Sequence, residues 1–77
     1  MMMAEWDTEA GASYLTVSER EVASTRHFGD LVSVDLDDAG GIVGIEVLAP
    51  LPDAARLLEP VVGEFPELKA VLNSLSV

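Results

Sequence analysis

The residues best placed to do chemistry are the carboxylates between Asp35 and Glu46. Asp35, Asp37, Gly40 and Glu46 fall at positions one, three, six and twelve of a helix–loop–helix calcium loop, a spacing that wraps oxygen ligands round a hard cation. The match breaks at position five, where Ala39 stands in place of an oxygen ligand. The flanking residues also alternate like strands, which draws the carboxylates onto an extended ladder. No such calcium loop is expected, and loose divalent-cation binding by the acidic turn is the weaker remainder. His27 is the only histidine, and no nucleophile elbow or orienting acid accompanies it, so it reads as a strand surface residue. Phosphate-loop and dinucleotide fingerprints are missing, and no cofactor is expected. Paired carboxylates for glycoside chemistry would need a cleft that so small a chain hardly builds. The chain reads as a non-enzyme.

The element carrying these carboxylates is a β-hairpin from Leu31 to Leu48. Val32, Val34 and Leu36 share one face of its first arm; Val43, Ile45 and Val47 share one face of the second. A one-residue slip moves a strand's whole side-chain set to the other face, so register decides whether the two sets meet. Joining them requires Val34 opposite Ile45 and Leu36 opposite Val43. Asp37 then stands opposite Ile42, and Asp38-Ala39-Gly40-Gly41 is a four-residue loop whose glycines can take positive φ. The other face carries Ser33, Asp35 and Asp37 on one arm and Gly44 and Glu46 on the other, with Asp35 opposite Gly44. A glycine inside a strand marks close approach by another group. Asp35, Asp37, Gly44 and Glu46 are therefore the candidate binding face, able to accept a backbone, a cation or an arginine. The bland alternative is a solvated polar face.

Upstream, Glu5-Trp6-Asp7 reads as a short first strand and Asp7 to Gly11 as a turn or single helical turn. Ala12 to Val17 is a strand, with Tyr14 and Thr16 on one face and Leu15 and Val17 on the other. Ser18 to Glu21 turns the chain, and Val22 to Phe28 is a weaker strand. Downstream, Ala54, Leu57, Leu58, Val61, Val62 and Phe65 lie on one helical face. Pro60 would cost about 3 kcal/mol in a helix interior. The reading is therefore a helix over about Pro52 to Glu59, a bend, and a second helix from Pro66. The stripe of that second helix, Leu68, Val71, Leu72 and Leu75, is a candidate partner or dimer contact. The expected fold is α+β: a small antiparallel sheet of about four strands in a hairpin meander, packed against one or two C-terminal helices.

Fourteen acids stand against Arg20, Arg26, Arg56 and Lys69, a net charge of −10. Such a surface repels nucleic-acid phosphates and anionic lipid, and it favours a basic protein partner. With no cysteine, disulfides, thiolate zinc sites and cysteine nucleophiles are excluded. At 77 residues one domain is expected, near the lower limit for a single core, and a second copy is the remaining way to stabilise it. The N-terminus lacks the basic start and apolar run of a secretory signal, so a cytoplasmic location is expected.

Trp6-Asp7-x-Glu9-Ala10-x-Ala12-x-Tyr14-Leu15, Val22-Ala23-x-Thr25, and Val34-Asp35-x-Asp37 running on through Gly41-Ile42-Val43-Gly44-Ile45-Glu46-Val47-Leu48 together resemble the YuzE-like family of small bacterial and archaeal proteins, a domain of unknown function. The likeness spans residues 6–48, leaving 49–77 as a helical extension of the same domain. It departs at Trp6, where the family usually has tyrosine, and at Gly11, where it has an acid. The resemblance implies a small antiparallel sheet with helical packing and no known catalytic activity. Some family members are encoded beside small toxin-like proteins, which implies an antitoxin-like partner. The function expected is thus a non-enzymatic protein-interaction module, a homodimer binding a small basic protein. The alternative is a small-ligand or divalent-cation domain using the acidic hairpin face.

Overall fold

The computed structural model describes residues 5–75, with the side chains at 51, 52, 55, 74 and 75 left out of the description. The reading of Met1 to Ala4, and the side chain of Leu75, lie outside the described residues. Five strands form one antiparallel sheet: β1 (Glu5–Glu9), β2 (Ala12–Thr16), β3 (Ser24–Phe28), β4 (Val32–Leu36) and β5 (Ile42–Val47). Three helical segments follow, α1 (Leu51–Leu57), α2 (Glu59–Glu64) and α3 (Glu67–Leu75). The α+β class is as the sequence predicts, with a fifth strand added. The strand order β1-β2-β5-β4-β3 is not a continuous meander, because β5 inserts between β2 and β4. That central place suits β5, whose only exposed residue is Glu46.

β1 runs on through Glu9, and the turn to β2 shrinks to Ala10 and Gly11, at φ 50° and 82°. A two-residue hairpin with both φ values positive matches the right-handed twist of the flanking strands. Gly11 is thus the residue best able to hold that turn.

The hairpin register is as expected at Val34↔Ile45 and Asp35↔Gly44, but Leu36 pairs with Ile42 rather than Val43. One extra residue, Val43, forms a β-bulge. Ile42 thereby joins the contiguous core, whereas Val43 is buried but outside it. The Val43 carbonyl accepts both the Val17 and Ser18 amides, at 2.9 and 3.1 Å, at the end of β2. Alternation alone could not reveal the bulge, since the partner's hydrogen bonds decide it.

Leu15, Val32, Val34, Ile45 and Val47 on the covered face pack against Ala54, Leu58, Val61, Leu68 and Val71 from the helices. The predicted helical stripe is therefore a core stripe. Pro60 does not end it: the chain turns at Leu58, and Pro60 enters the first turn of α2, where a missing amide proton costs nothing. Ser13, almost fully buried, donates to the Ala49 carbonyl at 2.9 Å and ties β2 to the connector before α1. Among the described residues no helix is long and apolar enough to cross a membrane.

Candidate functional site

The helices cover one face of the sheet and leave the other open. Cross-strand register places Glu5, Asp7 and Glu9 of β1, Tyr14 and Thr16 of β2, Gly44 and Glu46 of β5, Ser33 and Asp35 of β4, and Thr25 and His27 of β3 on that open face. Among the described residues of the strands, five carboxylates share it with no lysine or arginine. Three of the four predicted binding residues, Asp35, Gly44 and Glu46, are brought together here.

What approaches Gly44 is the chain's own tyrosine. A Cβ at position 44 would collide with the Tyr14 ring and hydroxyl, so the ring fills the notch that the missing side chain leaves. The Tyr14 hydroxyl donates to Asp35 Oδ2 at 2.8 Å, and the Thr25 hydroxyl donates to Asp35 Oδ1 at 2.8 Å. Both carboxylate oxygens are thus engaged from the two neighbouring sides. Burial pushes the Tyr14 hydroxyl up to about 12, reinforced by its bond to Asp35 and by the negative charges of Asp35 and Glu46. Tyr14 stays neutral and is a donor, not a nucleophile, at ordinary pH.

Asp37 does not join this face. It is nearly buried in the β4–β5 turn, where its Oδ1 accepts the Ala39 amide at 2.9 Å and the Gly41 amide at 2.8 Å. Arg20 reaches its Oδ2 at 3.1 Å. The Gly41 amide above all, then the Ala39 amide and the Arg20 guanidinium, hold its carboxyl below the ordinary range against the opposing effect of burial. Gly40, at φ 84°, completes a turn closed by the Asp37 amide on the Gly41 carbonyl, so the tip is Asp38-Ala39-Gly40 rather than four residues. Asp37 is a turn lock. Asp37 is thus engaged away from Asp35 and Glu46, and among the described residues no group of three or more histidine, cysteine or carboxylate side chains is arranged to hold a metal ion.

The proposed contact helix is also placed differently. Leu68 is fully buried and Val71 nearly so, both against the chain's own sheet, and Leu72 packs partly against the same core. These side chains are committed inside the protomer. Beside the N-terminal turn of α3 lies a cleft of about 660 Å³ lined by Val17, Arg20, Ile42, Glu67, Leu68 and Val71, with Asp37 at its edge. Its arginine already serves Asp37. His27 Nδ1 lies 3.0 Å from the Ser33 hydroxyl, a contact on the exposed strand surface.

Sequence reasoning missed Tyr14, Thr25 and Arg20. The alternation that put Tyr14 on the polar face was the available signal, but its hydrogen-bond partner Asp35 lies 21 residues away in the chain, on a strand that does not neighbour its own. A small α+β domain with one helix-covered face and one open acidic face is the class these features define. The chain belongs to DUF2283, a family of proteins of unknown function, whose model matches residues 4–49. That span covers the sheet and all of the open face and stops before the helices. No curated protein and no solved structure matches this chain.

Proposed function

We propose that this chain is a non-enzymatic protein-interaction module that engages a small basic protein through the open face of its sheet. The observation that carries the reading is the charge of that face: Glu5, Asp7, Glu9, Asp35 and Glu46, with His27 but no lysine or arginine among the described residues beside them. Complementary charge steers encounter and selects partners by sign. An antitoxin-like role, in which a basic partner is bound and neutralised in the cytoplasm, is the sharpest form of this reading. That form of the reading rests on the resemblance of residues 6–48 to the YuzE-like family. The same reading includes a homodimer, since the core is small and cysteine-free.

Affinity purification of the tagged protein from its native host tests the partner. A small basic protein should be recovered in stoichiometric amount with the wild type, be lost from an Asp7→Lys/Glu46→Lys variant, and be retained by Glu67→Lys on the opposite side. Recovery of the protein alone, or equal loss from both variants, would count against the open face.

A further inference from the structure

The sheet has two edges, and they differ in chemistry. β1 carries three carboxylates in five residues, the kind of charge that blocks strand addition. β3, Ser24-Thr25-Arg26-His27-Phe28, carries none, although the chain has fourteen. It also contains no proline, and its pairing with β4 runs without a bulge. The large apolar residues most exposed among those described are Val22, Leu31 and Leu48. Val22 precedes β3 and Leu31 follows it, so two of the three lie at the two ends of this edge, while Leu48, whose amide donates to the Leu31 carbonyl at 2.8 Å, follows the central strand β5. None of them flanks β1.

We infer that β3 is the edge through which two copies of this chain pair, antiparallel about a two-fold axis, to form one ten-stranded sheet. This rests on the homodimer part of the reading above and names its interface. The two-fold register that pairs all five residues centres on Arg26, setting Thr25 against His27 and Ser24 against Phe28 of the other copy. The same register carries Val22 of one copy toward the turn that holds Leu31 in the other, covering the exposed apolar ends. At the axis the two arginines face each other, but Glu64 already binds each of them through two bonds of 3.1 and 3.2 Å. The four groups together carry no net charge.

Electrostatics separates this arrangement from the alternatives. Pairing through β1 would bring six carboxylates within about one strand spacing, roughly 5 Å. Pairing through β3 puts the two β1 strands at opposite ends of ten strands, roughly 43 Å apart, several times the Debye length of about 8 Å. Joining β1 of one copy to β3 of the next attracts opposite charges but leaves both ends open, which yields filaments rather than a closed pair.

The chain has no cysteine, so single cysteines report the interface directly. Opposed Cα atoms in an antiparallel pair lie about 4.5–5.5 Å apart, within disulfide reach. The wild type should sediment at twice the protomer mass at low micromolar concentration. Arg26→Cys should cross-link to a dimer under mild oxidation and Asp7→Cys should not. Val22→Asp/Leu31→Asp, which leaves β3 intact, should weaken the dimer at least tenfold. A dimer that cross-links through Asp7→Cys and not Arg26→Cys would overturn the β3 interface while leaving dimerisation standing. A ladder of larger oligomers would overturn the closed pair. A monomer at about 100 μM would overturn dimerisation itself without touching the acidic-face reading.

Discussion

The two faces of the sheet are held by different physics. On the covered face, Leu15, Val34, Ile45, Leu58, Val61 and Leu68 are all fully buried, and their stabilisation comes from non-directional burial shared among many neighbours. On the open face, order comes from a few directed bonds centred on Asp35, made possible by one missing side chain at Gly44. The covered face should therefore cost most to damage. The open face should cost less, one bond at a time.

The largest effect belongs to the covered face. Leu68→Ala should destabilise the fold by about 2–5 kcal/mol, read by urea denaturation, since the cavity lies between α3 and the sheet and relaxes only partly. A loss below about 1 kcal/mol would mean that α3 is not a full part of the core.

Next comes Gly44→Ala, which should cost about 1–3 kcal/mol by overpacking and displace the Tyr14 ring. Tyr14 is the only tyrosine, so tyrosinate absorbance reports its ionisation alone. The wild-type midpoint should lie near 12, and that of Gly44→Ala should fall back toward 10. Equal midpoints in the two proteins would separate the glycine from the hydroxyl's environment.

The turn between the faces gives a smaller effect at acid pH. Because the folded Asp37 carboxyl is held below its ordinary 3.8, the stability it contributes is present above 3.8 and is lost as pH falls from there through the lower folded value. The Tm gap between wild type and Asp37→Asn should narrow below about pH 4. A gap that stays constant to pH 2 would remove the charge from the lock.

The smallest effect is Tyr14→Phe, about 1 kcal/mol, because Thr25 still serves Asp35. Tyr14's folded value lies above its unfolded one, so the contribution of its hydroxyl is complete below pH 10 and lost between 10 and 12. Wild type and variant should therefore differ in Tm at pH 8 and converge near pH 12.

Much of the fold was legible from residue order. Alternation at Val32-Val34 and Ile45-Val47 identified the core face, and the spacing from Ala54 to Phe65 identified the helical stripe, because burial imposes a period on local sequence. Pro60 misled, since a proline forbidden in a helix interior is welcome in a first turn, and only the turn at Leu58 distinguishes the two. The binding face was half legible: Asp35, Gly44 and Glu46 share one side through local pairing, whereas Asp37 was removed from it by its own turn.

By itself the sequence determined the α+β class, the acidic balance, the Asp35–Gly44 pairing and the absence of cysteine chemistry, all properties of composition or of neighbours along one hairpin. Only the tertiary structure decided that β5 lies beside β2, and with it that Tyr14 occupies the space above Gly44 and reaches Asp35. It also decided that Leu68 and Val71 face inward and that Val43 bulges. The physical reason is common to all of them. A periodic pattern says that a residue is buried or exposed, but which group buries it is settled by strands that meet across the sheet and not along the chain.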